Sequence, residues 1–303
     1  MKRFLKTVLL FFSPIVLVFA SIEMYLSSNS NTELSLKSRL LRNSAPEIKT
    51  LILGSSQSYY GVNPDAMTKP GFNAAYVSQD LTTDLAILQK HLPSFEKLET
   101  VVLPINYLSL RWNIPNSREP FRTIEYLKTY GLRRSWNPKD NFYVFAYKPN
   151  LLITRMKVQY QKPSMRDVQP SGFLPRKSIA DTVDLKSMAK ITLERHDLSD
   201  HSVLQNKNAI KTIAKICKDH NLQLVLLITP TTPEYYNGIK SSQWSEVIEF
   251  ADSLQNREEI VFLNLMKSDR FERTDFFDAD HLAKSGAEKL SAILDSTIEF
   301  SVK

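Results

Sequence analysis

The chain has 303 residues, 43% hydrophobic and 23% charged, which suits a globular protein with a sizeable core and excludes wholesale disorder. Its single cysteine, Cys217, excludes an internal disulfide framework and a cysteine-built zinc site, and its five histidines are too scattered to suggest a metal cluster. The formal net charge of +7 is concentrated between Tyr107 and Asp200, where 17 Lys/Arg face 9 Asp/Glu, a balance suited to an anionic glycan, lipid headgroups or a solvated surface. No nucleic-acid-binding module is recognisable.

Residues 1–26 read as a transmembrane signal anchor. Lys2, Arg3 and Lys6 precede an apolar stretch from Val8 to Ala20, extended through Ile22, Tyr25 and Leu26 to the length of a membrane-spanning helix. The basic flank predicts a cytoplasmic N-terminus with the rest of the chain periplasmic or extracellular. Val18-Phe19-Ala20 also fits a signal-peptidase site, so a cleaved leader is the competing reading; the apolar character beyond Ala20 favours an uncleaved anchor. Pro14 would kink such a helix without forbidding it.

Residues 27–46 are polar, with Ser27-Ser28-Asn29-Ser30-Asn31, and read as a tether to a domain over 47–303. Thr50–Leu53 is predicted as a first buried strand ending at Gly54, Phe72–Tyr76 as a second, and Leu81–Leu92 as a helix with Leu85, Leu88 and Leu92 on one stripe. Val101–Pro104 reads as a third strand. The segment 107–200 then breaks the alternation: it is rich in Pro, Arg, Tyr and Trp and weakly periodic, and is expected to be an insertion with a few helices, Arg122–Tyr130 among them, covering a site as a lid. Regular order returns with a helix over Asn206–His220 closed by Asn221, a strand at Gln223–Ile228, a helix at Trp244–Leu254, a strand at Ile260–Leu263 and a last helix at Ala283–Leu294. Short apolar strands alternating with helices predict an α/β fold, a parallel sheet covered on both faces.

Ligands bind beyond the carboxyl ends of such strands. Ser56 follows the first strand, Ser78 the second, Asn106 the third, and Asp278 with His281 the fifth. A hydroxyl, an imidazole and a carboxylate three residues before it are the groups acyl transfer needs. Each also has a plainer reading: Ser56 as a helix cap, Asp278 or Asp280 as a cap of the last helix with His281 packed beside it, Asn106 as a loop brace. Asp275, Asp278, Asp280 and His281 are further open to a divalent cation. Thr229-Pro230-Thr231-Thr232-Pro233-Glu234-Tyr235-Tyr236 follows the fourth strand and would either line an acyl or sugar pocket or merely shape a turn.

These residues resemble the blocks of the SGNH or GDSL-type hydrolases. Gly54-Ser55-Ser56-Gln57-Ser58 is similar to their Gly-Asp-Ser-x-Ser, Asp278-Ala279-Asp280-His281 to their final Asp-x-x-His, and Pro104-Ile105-Asn106-Tyr107 keeps the asparagine of the third block. The glycine of the second block has no equivalent; Ser78 lies where it would fall. The resemblance spans about 47–106 and 206–296 and implies a three-layer α/β/α, flavodoxin-like sheet. It further implies Ser56 as nucleophile, His281 as base, Asp278 as its orienting acid, and an oxyanion hole of the Ser56 and Ser78 amides with the Asn106 side chain. Neither cofactor nor metal is implied. By the same resemblance the expected function is an extracytoplasmic serine esterase or O-acyltransferase acting on acyl groups of an envelope or secreted polysaccharide, with a multi-pass membrane acyltransferase as partner. The alternative is a catalytically silent glycan-binding or scaffold component of such a complex.

Overall fold

A computed structural model describes residues 1–28, 32–161, 167–255 and 260–301. In chain order its elements are α1 (Lys2–Ser28), α2 (Glu33–Ser44), β1 (Thr50–Ile52), α3 (Ser56–Gly61), β2 (Gly71–Asn73), α4 (Leu81–His91) and β3 (Thr100–Pro104). Next come the short helices α5 (Tyr107–Arg111), α6 (Arg122–Tyr130), α7 (Pro138–Asn141) and α8 (Tyr143–Ala146), followed by α9 (Pro149–Gln161) and α10 (Leu185–His196). The chain closes with α11 (Val203–Asp219), β4 (Gln223–Ile228), α12 (Pro233–Tyr236), α13 (Ser241–Gln255), β5 (Ile260–Asn264) and α14 (Lys284–Ser301). Two compact units result: Met1–Leu36 with Ile114–Met165, and Lys37–Asn113 with Arg166–Lys303.

The second unit is built on a five-stranded, all-parallel sheet in the order β2-β1-β3-β4-β5. Its strands are short and apolar on both faces because both faces are covered. Ile52, Val102, Val225 and Leu227 point to one side, where Leu290 and Leu294 of α14 meet them. On the other side lie α4 and α11, which pack against each other. The fold is therefore the expected three-layer α/β/α, flavodoxin-like arrangement. In this strand order the chain reverses direction of travel across the sheet between β1 and β3, and the crevice beyond their carboxyl ends is where such folds hold ligands. Ser56 and Asn106 open the helices that follow those two strands.

The first unit gathers around Leu26, Ile124 and Tyr143, all fully buried, with Ile22, Tyr147, Leu152 and Met156 against them. Glu23 pairs with Lys128 at 2.9 Å and accepts the Tyr143 N–H at 2.7 Å, so the last turns of α1 are fixed to α6 and α8. A buried Glu125–Arg155 pair (3.0 Å) braces α6 against α9. Toward its N-terminus α1 is long and apolar enough to cross a membrane, with Phe4, Leu9, Phe11 and Leu17 exposed and Pro14 accommodated inside the helix.

Two boundaries differ from the sequence reading. The tether expected over 27–46 contains α2, whose Leu34 and Leu41 are buried; residues 29–31 lie outside the described residues. Its composition reads as polar because it also buries Lys37, whose ammonium donates to the Gly172 carbonyl and lies 4.0 Å from the Tyr59 ring centre. The insertion expected over 107–200 is divided: only 114–165 joins the first unit, whereas 107–113 and 166–200 belong with the sheet. Asn206 ties down the first of these stretches by donating to the carbonyls of Ser109, Leu110 and Trp112 at 2.9–3.1 Å. The second stretch continues past β2, where the Asn73 N–H donates to Ser171 O at 2.8 Å. These irregular segments carry little periodicity, so nothing in the sequence separated them. The predicted helix Arg122–Tyr130 and strand Gln223–Ile228 are found with those bounds.

Candidate active site

Leaving β1, the chain must turn sharply to begin α3, and Gly54 makes the turn at φ +111°, a conformation that L side chains rarely adopt. A Cβ there would lie 2.7 Å from Ser58 Oγ and 3.1 Å from the Pro104 ring. The Gly54 N–H donates to Asp84 Oδ1 at 2.8 Å, and the same oxygen accepts Gln79 Nε2 at 2.6 Å. Burial pushes the Asp84 carboxyl up to about 7 against these hydrogen bonds. Ser55 is extended and stands at the N-cap position of α3 without a side-chain capping bond, and Ser56 is the first helical residue, at the positive end of the helix.

The opposing loop is equally constrained. Phe276 and Leu282 form an antiparallel bridge that pinches 277–281 into a tight turn. Inside it Asp278 Oδ1 accepts the N–H groups of Asp280 and His281 at 3.0 and 2.9 Å. From the β4 side Thr232 donates both its N–H and its hydroxyl to Ala279 O, at 3.1 and 2.9 Å. These bonds hold the turn so that the imidazole faces the end of β1.

Between the two loops Ser56 Oγ lies 2.7 Å from His281 Nε2, and His281 Nδ1 lies 2.9 and 3.0 Å from the two oxygens of Asp278. Ser56 and His281 are 225 positions apart in sequence, so their hydrogen bond is a product of the fold. Asp280 is a second carboxylate at the ring, its Oδ1 3.3 Å from Nδ1, and it is 4% exposed against 24% for the Asp278 side chain. The two are shifted in opposite directions. Burial works against the charge on Asp278, but the His281 hydrogen bond and charge and the two N–H donors keep its pKa below the ordinary value. Burial and the neighbouring Asp278 charge raise Asp280, opposed by His281 and Gln57. For His281 burial disfavours the cation, yet Asp280 and Asp278 outweigh it and lift the pKa to about 9. Deprotonation then leaves Nδ1–H facing Asp278 and frees Nε2 to accept the Ser56 proton.

Asn106 and Ser78 are placed at the same sheet edge with distinct local roles. Asn106 caps α5 by accepting Ser109 N–H at 2.6 Å, and its amide donates to Gln57 Oε1 at 2.6 Å. Gln57 in turn donates to Asp280 Oδ2 at 3.4 Å and accepts Thr229 Oγ1 at 3.3 Å, joining the ends of β1, β3 and β4 to the imidazole loop. Ser78 has φ +58°, the backbone region that favours glycine, and its carbonyl accepts Trp112 Nε1 at 2.8 Å. Asp275, the outlying member of the acidic group, instead pairs with Lys289 at 2.6 Å. Asp278, Asp280 and His281 do cluster closely enough to hold an ion. Both ring nitrogens of His281 are nevertheless already engaged, which fits a proton relay better than a metal ligand.

Sequence reasoning missed several groups. Gln57 was visible only as the unassigned residue of its motif. His196 is brought beside the site, its Nδ1 2.8 Å from Tyr235 Oη, which lies 2.8 Å from Tyr107 Oη. Burial, then the His281 charge, lowers its pKa to about 4, so it is neutral. Tyr235, read as a pocket-lining aromatic, is buried and hydrogen-bonded on both sides. Tyr60 sets its ring edge-on to His281, with centroids 5.5 Å apart.

Comparison with known proteins adds the following. A family model that carries no functional description matches residues 178–303. No curated protein matches the chain. Among solved structures, a Streptococcus pneumonia protein provisionally described as a platelet activating factor aligns at 13% identity and TM-score 0.42, over 94% of this chain and 98% of its own. A protein from Desulfitobacterium hafniense DCB-2, provisionally described as lipolytic and of the G-D-S-L family, aligns at 12% identity and TM-score 0.39, over 82% and 98%. These are distant likenesses.

Proposed function

We propose that the protein is a serine hydrolase or acyltransferase of the SGNH type, and that Ser56, His281 and Asp278 are its catalytic residues. The observation that carries this reading is the unbroken relay Ser56 Oγ–His281 Nε2 and His281 Nδ1–Asp278, assembled from the two ends of the sheet unit. In the proposed reaction Ser56 Oγ attacks the ester carbonyl carbon as its proton passes to His281 Nε2. The tetrahedral oxyanion collapses, the bond to the leaving alkoxy oxygen breaks, and that oxygen takes the proton from His281. Water, or an acceptor hydroxyl, then attacks the acyl-serine with His281 again as base, and Ser56 is restored. Asp278 holds the ring in the required tautomer throughout. The amides of Ser56 and Ser78, with Asn106, are proposed as oxyanion donors, a role in which one donor is typically worth about 10²–10³ in turnover.

The substrate we propose is an acylated polysaccharide of the envelope or a secreted one, handled outside the cytoplasm by a protein anchored through α1. A multi-pass membrane acyltransferase is proposed as the source of acyl groups in the transfer direction. The basic composition of 107–200 supports an anionic polymer.

Treatment of the detergent-solubilised full chain with a fluorophosphonate tests the central claim. Labelling of Ser56 is expected, and Ser56→Ala and His281→Ala should each abolish it. A folded protein that stays unlabelled would overturn the assignment and leave a glycan-binding or scaffold role.

A further inference from the structure

Arg176 is an unusual cation. Its guanidinium is stacked 4.3 Å from the Tyr60 ring centre and 5.2 Å from that of Phe277, and Nη2 donates to Tyr60 Oη at 2.9 Å. Both rings belong to the site: Tyr60 is edge-on to His281, and Phe277 directly precedes Asp278. The side chain is half-buried, and its Nε is buried without a hydrogen-bond partner. Among the described residues no carboxylate forms an ion pair with it. Its charge is close enough to oppose protonation of His281.

Stacking fixes a guanidinium in orientation but leaves its charge and most of its donor fork unsatisfied, and a partly desolvated cation is costly unless an anion completes it. Nothing among the described residues does so. The accessible end of the planar fork, Nη1 with the remaining N–H of Nη2, matches a carboxylate or a phosphate, which accepts two parallel hydrogen bonds. The position, one aromatic layer from the imidazole, places such an anion next to an ester bound at Ser56.

We infer that Arg176 forms an anion subsite beside the Ser56–His281 pair, so that the preferred substrate is an ester whose acid or alcohol part carries a carboxylate or phosphate close to the reacting bond. The inference rests on the acyl-transfer reading for its mechanism but not for the binding itself. Tyr60 and Phe277 hold the guanidinium; Arg176 alone meets the ligand.

Binding and turnover separate the two claims. In the first measurement, galacturonate, glycerol phosphate and inorganic phosphate are titrated onto the full-length Ser56→Ala protein in detergent, where chemistry is off. At least one should bind, and Arg176→Met, which keeps the apolar stem between the rings, should weaken it at least about tenfold. Arg176→Lys should recover only part, since it restores charge but not the fork. Galacturonate binding alone would identify a carboxylate, and binding of both phosphates a phosphate group. In the second, kcat/KM for acetate release is compared for an O-acetylated galacturonoside and its 6-carboxamide, which is nearly isosteric and neutral. The acid should be favoured, and Arg176→Met should collapse the ratio. Arg176-independent binding, or a ratio near one in the unmodified protein, overturns the subsite while leaving Ser56 labelling intact. Arg176-dependent binding in a protein whose Ser56 never labels would instead uphold the subsite and sink the acyl-transfer reading.

Discussion

Two carboxylates reach one imidazole, and their environments assign them different work. Asp278 is the more exposed, receives two N–H donors and is lowered; Asp280 is deeply buried and raised by that burial, yet its charge is the largest influence raising His281. Asp278→Asn should therefore cost on the order of 10³–10⁴ in kcat, because an amide no longer enforces the tautomer. Asp280→Asn removes the largest charge that raises His281, so its main effect should be on the pH profile, moving the rising limb of kcat/KM toward acid. In the unmodified protein that limb should climb toward about pH 9, since Nε2 must be free to accept the Ser56 proton. Stability runs the other way. A histidine raised above its unfolded value of 6.5 stabilises the fold fully below that pH, and this contribution is lost as pH rises through about 9. Urea denaturation midpoints and initial rates, measured across pH 6–10, should diverge in opposite directions; rates that are flat over this range would contradict the role given to His281.

At the level of elements, the β1–α3 turn carries Ser56, the proposed nucleophile. Gly54→Ala should destabilise the protein by about 1–3 kcal/mol, from the positive φ and the contact with Ser58, and should lower activity further by displacing Ser56. Urea titration and kcat together check this; unchanged turnover would mean the turn does not set the position of Ser56. The same turn shows what a single sequence reveals. Runs such as Leu51–Leu53 and Leu224–Ile228 are apolar on both faces, which only a covered parallel sheet requires, so the sheet and the residues at its strand ends were legible. Asp278 and His281 were legible as well, because three residues suffice to state their relation. Gln57, His196 and Arg176 were not. Their meaning lies in contacts with residues far along the chain, and a glutamine, a histidine and an arginine in irregular segments carry no periodicity to reveal them. The second strand illustrates the lesser error: it was expected over 72–76 but ends at Asn73, whose side chain turns back to donate to the Ser58 and Val62 carbonyls, both at 2.7 Å.

Over the whole molecule, the sheet unit and the α1 unit have separate cores, and α1 is at once the membrane-length helix and a structural member of its unit. Leu26→Ala should cost that unit about 2–5 kcal/mol. Hydrogen exchange in detergent should show α6 and α8 losing protection while the sheet keeps it; uniform loss would contradict two separate cores. We expect the full chain to stay with the membrane after alkaline carbonate extraction, and its release would rule against an uncleaved anchor.

The discontinuous make-up of both units has a consequence for biosynthesis. Ile22, Glu23 and Leu26 emerge early, but their partners Ile124, Lys128 and Tyr143 follow about a hundred residues later. Residues 37–113 between them belong to the other unit, which itself is incomplete until β4, β5 and α14 have followed. A nascent chain halted near residue 113 therefore holds only the first segment of each unit and can complete neither. Ser56 waits for His281 in the same way, so on the proposed reading a chain halted before His281 carries no activated serine.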